Sequence, residues 1–258
     1  MPVITLTTDF GLTDNFVGVM KGVVLSIAPN TTIVDLTHDV APQNIHQAAF
    51  VLLTGFSYFP SSTVHVCVVD PGVGSGRRIL AVRADDYYFV APDNGVLSYV
   101  LDRADSFECW SVENPEYRLA EVSSTFHGRD IMAPAAAWIS KGLTPESLGP
   151  KIKDPVRLPA LAPQKTALGI DGRVIYADRF GNLITNVSAA EVPDHAEIRV
   201  GGQCISGLQS SYDAVPPGEL LAVRGSHGFI EIARNQGSAQ DLVPGMSISV
   251  RVIAGRPK

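Results

Sequence analysis

A strand-like apolar run, residues 64–69, ends at Asp70 and continues into a loop in which glycine recurs at every second position. Two arginines, Arg77 and Arg78, close this loop, and another apolar run begins directly at residue 79. Open α/β sheets build sites in this way, with an acid at the carboxyl end of a strand and a flexible loop beside it. The pattern therefore predicts a sheet with a polar site at one edge.

The glycine spacing of this loop has two other interpretations. It resembles the start of a dinucleotide-binding loop, but that loop needs a helix directly after its glycines, so that the helix N-terminus faces phosphate. A strand pattern follows here instead. The other alternative is a tight turn in which Asp70 and Arg77 only pair with each other, and the loop by itself leaves this open.

Strand and helix patterns alternate through the first 150 residues. Strand patterns at residues 3–8, 32–36 and 64–69 are separated by helix patterns, and the first helix has apolar residues every three to four positions from Phe16 to Ile27. This alternation predicts an α/β domain with a mostly parallel, doubly wound sheet.

The pattern changes after a proline-rich segment. Five prolines fall between residues 143 and 163, a density that prevents regular structure and indicates a linker. We place an α/β domain at residues 1–150, the linker at 151–165 and a second domain at 166–258. The second domain has short strand patterns separated by Gly, Pro and Asp turns, which is typical of a smaller all-β, barrel-like fold.

Composition and charge argue against several classes of partner. The net charge is −6 and no Lys/Arg stripe is present, so we expect no nucleic-acid binding. The N-terminal residues match neither a signal peptide nor a membrane span. Three well-separated cysteines are typical of reduced thiols in a cytoplasmic protein. The six histidines are scattered, so no metal site is predicted, although acid-tipped strands leave Mg²⁺ as an alternative.

Two groups of candidate site residues follow strand patterns of the first domain. Asp9 precedes the turn after the first strand and suits contact with a ligand hydroxyl or ammonium group, whereas Asp14 equally suits capping the next helix. An aspartate–arginine pair, Asp70 and Arg77, together with His127 can orient a water molecule as a nucleophile. Alternatively, His127 is a hydrogen-bonded histidine in a turn.

A third group lies in the second domain, within residues 178–186 and 226–235. Phe180 and Phe229 offer ring faces for a purine, and the amide of Asn182 offers both a donor and an acceptor to the edge of a base. The alternative is that these segments are hairpin turns whose aromatic residues fill the core.

In this order, the segments resemble the S-adenosylmethionine (SAM) hydroxide adenosyltransferase family, adenosine-forming SAM hydrolases related to fluorinating and chlorinating enzymes. The resemblance covers nearly the whole chain. It rests on six segments: TTDFGLTD at 7–14, VVDPGVGSGRR at 68–78, APDNGVL at 91–97, TFHGRD at 125–130, DRFGN at 178–182 and SHGFIEIA at 226–233.

The resemblance implies a function and a set of roles. The activity is hydrolysis of SAM, which is the substrate, without a cofactor, in a homotrimer whose sites lie between the N-domain of one subunit and the C-domain of the next. Asp70, Arg77 and His127 match the water-activating trio. The implied substrate contacts are Asp9 for the ribose; Asp14, Asp178 and Ser226 for the methionine end or ribose; and Asn182, Phe180 and Phe229 for the adenine, joined by Glu231 and Arg234.

The same resemblance implies a preference for water over halide. In the halogenating relatives the residue at position 70 is aromatic and a serine follows position 127, whereas this chain has Asp70 and Gly128. Phe16 stands where the fluorinating relatives have a serine. The alternatives are a SAM-dependent halogenase and a non-enzymatic protein that binds adenosine or SAM.

Overall fold

The computed structural model describes residues 1–167, 169–243 and 249–253. The chain divides into two compact units, Met1–Ala160 and Leu161–Lys258. Residues of the predicted linker, 151–165, are therefore divided between the two units.

The first unit contains seven strands and four helices. The strands are β1 (Val3–Thr8), β2 (Thr32–Thr37), β3 (Val64–Val68), β4 (Ile79–Ala84), β5 (Tyr87–Pro92), β6 (Phe107–Ser111) and β7 (Lys151–Ile152). The helices are α1 (Phe16–Ile27), α2 (Ile45–Gly55), α3 (Ser98–Arg103) and α4 (Ala133–Ser140).

The seven strands form one mixed sheet in the order β2-β1-β3-β5-β4-β6-β7. Strands β2, β1, β3 and β5 are parallel, whereas β4, β6 and β7 pair antiparallel. The prediction of a mostly parallel sheet therefore applies to the first half of the strand order and needs correction for the second. A short turn at Asp85 and Asp86 joins β4 to β5, and strands joined so closely pair antiparallel.

Helices cover both faces of this sheet. α1 and α4 pack on one face against side chains that include Leu6 and Val66, and α2 and α3 pack on the other face against side chains that include Cys67. Because successive residues of a strand point to opposite faces, β3 contributes to both cores. A continuous apolar run is the pattern expected of a strand buried on both faces.

The proline-containing segment after β7 is held against the first unit as far as residue 158. The Val156 N–H donates to the Asp93 carboxylate at 2.8 Å, and the Leu158 N–H donates to the Ser98 hydroxyl at 2.7 Å. The Arg78 guanidinium bridges Asp93 and Asp154. These bonds fix an irregular backbone without a strand or a helix.

The second unit consists of antiparallel strands. They are β8 (Gln164–Thr166), β9 (Gly169–Ala177), β10 (Leu183–Ser188), β11 (Glu197–Val200), β12 (Gln203–Ser206), β13 (Leu220–Arg224), β14 (Phe229–Arg234) and β15 (Ser249–Ile253).

These strands follow the order β12-β11-β15-β9-β10-β14-β13, with β8 paired to β9. The predicted all-β composition is present, but among the described residues no ladder joins β12 to β13 and no closed barrel forms. After β12 the chain returns through irregular turns, and only Gln209 forms a bridge with Val223 of β13. The barrel prediction is therefore corrected to an open antiparallel arrangement.

Candidate active site

A cleft of about 380 Å³ opens where β1 and β3 end in the first unit. Its position at the carboxyl ends of parallel strands is the usual place for ligands in open α/β sheets. The residues that line it are Asp9, Phe10, Phe16, Pro42, Gln43, Val68, Asp70, Pro71, Val73, Thr125, Phe126, His127 and Gly128.

The structure brings Asp70, Arg77 and His127 together. The Arg77 Nε lies 2.9 and 2.8 Å from the two Asp70 carboxylate oxygens, and Nη2 also bonds to Oδ2. The same Nη2 lies 2.9 Å from Nδ1 of His127. The side chains of Asp70 and Arg77 are only 5% and 10% exposed, so the ion pair is largely removed from bulk water.

The bonding partners determine where the imidazole proton lies. A guanidinium is only a donor, so Nδ1 of His127 accepts the bond from Arg77, and the proton of the neutral ring is on Nε2. Burial, followed by the Arg77 charge, lowers the pKa of His127, while the carboxylates of Asp70 and Asp130 oppose the shift. The ring is therefore neutral at pH 7.

The glycines of the loop after Asp70 are needed for its turns and for one close contact with a neighbouring segment. The Val73 N–H donates to the Asp70 carbonyl at 3.2 Å, and Gly74 adopts a φ of +77°. A Cβ at Gly74 would lie 2.3 Å from the Ser124 carbonyl oxygen. Strand β4 follows the loop, so the helix of a dinucleotide fingerprint is missing at this position. The glycines allow the loop to contact the turn that precedes His127.

Asp9 and Asp14 have different surroundings. Asp9 lines the cleft, and its Oδ2 accepts the Gln43 N–H at 2.8 Å. Asp14 is exposed and lies outside the cleft lining, and the capping position of α1 is occupied by Asn15, which makes no side-chain capping bond. Gln43 was not predicted from the sequence; its backbone has a φ of +63°, a conformation that the sequence pattern does not indicate.

One wall of the cleft is aromatic. The rings of Phe10, Phe16 and Phe126 contact one another, with centroids 5.3 to 5.8 Å apart. Sequence analysis did not predict Phe10 and Phe126 as lining residues, because they come from distant parts of the chain. The cleft thus combines an apolar wall with Asp70 and His127, and Arg77, which is outside the lining, bonds both of them.

A second hollow, of about 650 Å³, lies in the second unit. Six of the seven predicted residues of this unit line it, whereas Phe229 begins β14 and is outside the lining. The lining residues are Asp178, Phe180, Asn182, Tyr212, Ser226, His227, Glu231, Arg234, Gln236 and Gly237.

Several polar groups in this hollow already have partners within the unit. Asp178 Oδ2 accepts from the Asn182 amide at 2.9 Å, which leaves the amide oxygen of Asn182 for other contacts. The Tyr212 hydroxyl donates to Glu231 at 2.7 Å, and this bond, with burial, raises the pKa of Tyr212 to about 12. Arg234 Nε donates to the Gly218 carbonyl. Sequence analysis missed Tyr212, which belongs to no motif.

Two further observations concern the described part of the chain. No group of three or more His, Cys, Asp or Glu side chains is placed to hold a metal ion there. None of the helices in those residues is both long and apolar enough to cross a membrane.

Comparison with family models assigns both units. The model of the SAM hydroxide adenosyltransferase N-terminal domain matches residues 4–149, and that of the C-terminal domain matches residues 172–245. The chain belongs to the SAM hydroxide adenosyltransferase family. This match confirms the resemblance found in the sequence.

Within the SAM hydroxide adenosyltransferase family, the chain is more similar to proteins named hydrolases than to those named fluorinases. It is 40% identical to an (R)-S-adenosyl-L-methionine hydrolase of Thermus thermophilus, over 91% of this chain and 92% of that protein. A protein of the same name from Salinispora tropica is 39% identical over 98% of each chain. A fluorinase of Nocardia brasiliensis is 27% identical over 97% of each chain.

A solved structure of similar fold is the crystal structure of an uncharacterized conserved protein from Thermotoga maritima. It superimposes with a TM-score of 0.90 at 35% sequence identity, and the match covers 98% of this chain and all of the other.

Proposed function

We propose that this protein hydrolyses SAM to adenosine and L-methionine. The observation that carries the proposal is the convergence of Asp70, Arg77 and His127 at the cleft of the first unit. The names of relatives about 40% identical to this chain support the same reaction. This reaction requires a held water, an aligned carbon and a leaving group.

The proposed chemistry is an in-line displacement at the ribose 5′ carbon. The water oxygen forms a bond to this carbon while the carbon–sulfur bond breaks. The electron pair of the broken carbon–sulfur bond stays on sulfur and gives the neutral thioether of methionine. The proton lost by the water passes to the Asp70 carboxylate, which has lone pairs beyond those used by Arg77. Because the sulfonium is already an activated leaving group, alignment and exclusion of solvent are the tasks left to the protein.

The three residues of the trio have different roles toward the water. As the proton passes to Asp70, Arg77 and the Nε2–H group of His127 donate to the hydroxide-like oxygen and stabilise its negative charge, while its third lone pair attacks the carbon. Asp70 holds the guanidinium in a fixed orientation by accepting from Nε at Oδ1 and from Nη2 at Oδ2, which is the fork geometry that favours arginine over lysine.

The remaining site residues contact substrate in the proposal. Asp9, at the cleft, holds ribose hydroxyls, and the hollow of the second unit takes the rest of the molecule. In that hollow, Asp178 and Ser226 bind the methionine end or the ribose. Phe180 and Asn182 bind the adenine, and Glu231 and Arg234 are next to them. Asp14 and Phe229 stay in the proposal on the family resemblance alone, since neither is among the lining residues of the cleft or of the hollow described above.

The proposed assembly is a homotrimer in which a complete site uses the first unit of one subunit and the second unit of another. It rests on the family resemblance, and two half-sites located in separate units are compatible with it. We also propose a cytoplasmic location. The free thiols of Cys67, Cys109 and Cys204 support it, because a reducing compartment keeps cysteines unpaired.

A halogenase is the second candidate, and the surroundings of Gly128 argue against it. In the halogenating relatives a serine stands at this position. Here a Cβ on Gly128 would lie 3.0 Å from Val68 Cγ1 and 3.4 Å from Met20 Sδ. A serine at this position would therefore require the Val68 side chain to shift by a few tenths of an ångström, whereas its Cβ would be in ordinary van der Waals contact with Met20.

The test is chromatography of SAM after incubation with purified protein, with and without chloride. Adenosine and methionine in equal amounts, independent of chloride, are the expected products. A halogenated nucleoside would instead support the halogenase, and retention of ligand without turnover would support a binding protein.

A further inference from the structure

We propose that Asp130 is a positioning residue that holds the turn from Ser123 to His127 and thereby sets the orientation of the imidazole. This inference rests on the proposed function, because it assumes that His127 acts on the nucleophilic water. Asp130 belongs to the segment TFHGRD, in which His127 acts on the water and Phe126 belongs to the aromatic wall, whereas Asp130 has no role in the proposed chemistry.

Asp130 is a carboxylate with no exposed surface. Its Oδ2 accepts the backbone N–H of Ser123 at 2.8 Å. Both oxygens are also bonded by Arg129, at 2.5 Å from Nε and 3.1 Å from Nη2. Burying a carboxylate is unfavourable unless its lone pairs are satisfied, so an acid here indicates that these bonds are needed.

The bonds of Asp130 close a short loop around His127. The Phe126 N–H donates to the Ser123 hydroxyl at 3.0 Å, and the Asp130 N–H donates to the Phe126 carbonyl at 3.1 Å. The Leu119 N–H donates to the Asp130 carbonyl at 2.9 Å. Both ends of the segment are thus anchored at Asp130, and His127 lies between the anchors.

The backbone after His127 is irregular and needs such an anchor. Residues Gly128–Met132 form a single π-helical turn before α4 begins. Isolated π-turns are rare and occur frequently at functional sites. The Arg129 guanidinium lies 5.1 Å from the centre of the Phe126 ring, so the partner of Asp130 also packs on the aromatic wall of the cleft.

Asp130 also acts on His127 through its charge. The charged groups that influence the imidazole are Asp70 and Arg77 from the glycine-loop side and Asp130 from the π-turn. The Asp130 carboxylate opposes the lowering of the His127 pKa caused by burial and Arg77. Removing this charge therefore lowers the pKa of His127 further, a change that loss of packing alone does not predict.

The test compares Asp130→Asn with the matched control Asp93→Asn in the full chain. Asp93 is likewise a buried aspartate that pairs with one arginine and accepts one backbone N–H, but it is not part of the segment that carries His127. We measure kcat, KM, adenosine affinity and the NMR titration of the His127 ring at a temperature where all proteins are folded.

For Asp130→Asn we expect kcat to fall about 10- to 100-fold, because small misplacement of a reacting group has effects of this size. Adenosine affinity should stay within about threefold of the unmodified protein, since the substrate contacts remain. The His127 pKa should move down, and the control should match the unmodified protein in both kcat and His127 titration.

Two results would overturn the inference: kcat of Asp130→Asn equal to that of the control, or an unchanged His127 titration. If Asp130→Asn does not fold, Ser123→Ala takes its place, because it removes the Phe126 anchor from the other end of the turn. Its His127 signals should shift relative to the control. Failure of the proposed function would be visible separately, as absence of adenosine from the unmodified protein, while the NMR comparison stands without activity.

Discussion

A single guanidinium joins the two other members of the proposed trio. Arg77 bonds Asp70 through Nε and Nη2 and His127 through Nη2, so one planar group fixes both the carboxylate and the imidazole. A histidine that accepts from arginine cannot accept a proton at the same nitrogen. In the proposed reaction Asp70, rather than His127, is therefore the proton acceptor.

Replacing Asp70 tests this assignment. Asp70→Ala removes the acceptor and frees Arg77 to rotate, so we expect turnover to fall about 100-fold or more, while the nucleoside still binds. Steady-state kinetics and adenosine affinity are measured beside Asp86→Ala, an exposed aspartate in the turn between β4 and β5. Full activity in Asp70→Ala would remove this residue from the mechanism.

The residues of the candidate site differ in how far sequence can predict them. Acids that follow apolar strands, such as Asp9 and Asp70, are predictable because parallel strands bring their carboxyl ends to one edge. Tyr212 and Phe10 were not predicted, since a lining residue outside a motif is defined only by distant parts of the chain. Asp14, predicted for the site, is exposed because it falls in the turn before α1.

Among the elements, β1, β3 and the helices α1 and α2 follow the sequence pattern because each has side chains buried in a core, whereas β2 is an edge strand without a fully buried side chain. Strands β6, β7, β10 and β12 were not predicted. They are short or contain buried polar residues, for example Thr185 and Asn186 in β10, and their pairing depends on partners far along the chain. The spacing of apolar residues within one segment does not determine which distant strand that segment pairs with.

The glycine loop offers a matched pair of substitutions. At Gly74 an alanine meets both a positive φ and the Ser124 carbonyl, whereas at Gly76 a Cβ has no atom within 4 Å. We expect Gly74→Ala to destabilise the protein by about 1–3 kcal/mol and to reduce kcat by separating the loop from the turn before His127. Gly76→Ala should leave both unchanged in urea unfolding and kinetics. Equal behaviour of the two variants would contradict this account of the loop.

Strand β3 carries a histidine that makes stability depend on pH. His65 is fully buried. Its Nδ1 shares a hydrogen bond of 2.8 Å with the Thr5 hydroxyl, and its ring contacts four aromatic rings. These belong to Phe56, Phe59, Tyr87 and Phe89. Burial lowers the pKa of His65 to about 4.

The ordinary pKa of a histidine is 6.5. Between pH 6.5 and about pH 4, His65 therefore carries a proton in the unfolded chain but not in the folded chain. Stability from this residue is complete above pH 6.5 and decreases as the pH falls, by about 3 kcal/mol at pH 4. In His65→Asn, which keeps a partner for Thr5, the difference in unfolding free energy between pH 7 and pH 4.5 should shrink. The exposed control His46→Asn should retain it, and an unchanged difference in His65→Asn would contradict the prediction.

For the molecule as a whole, the proposed function divides the site residues between two units. The polar trio lies in the first unit, and the hollow with exposed Phe180 lies in the second. This division allows the proposed homotrimer to be tested by complementation between inactive chains, because a site shared by two subunits can be rebuilt from two different variants.

Asp70→Ala inactivates the first unit, and the double variant Phe180→Ala with Asn182→Ala inactivates the second. When both chains are co-expressed in equal amounts, random assembly gives about a quarter of the shared sites two intact halves. We expect activity near that fraction of the unmodified protein. A mixture no more active than either variant alone would contradict sites shared between subunits.

In the proposed reaction, a water held by Asp70, Arg77 and His127 attacks the ribose 5′ carbon of SAM. The most direct measurement is the reaction in water enriched in oxygen-18, followed by mass spectrometry of both products. We expect one oxygen-18 atom in each adenosine and none in methionine, with Asp70→Ala forming the labelled adenosine about 100-fold or more slowly. Unlabelled adenosine, or label in methionine, would contradict it.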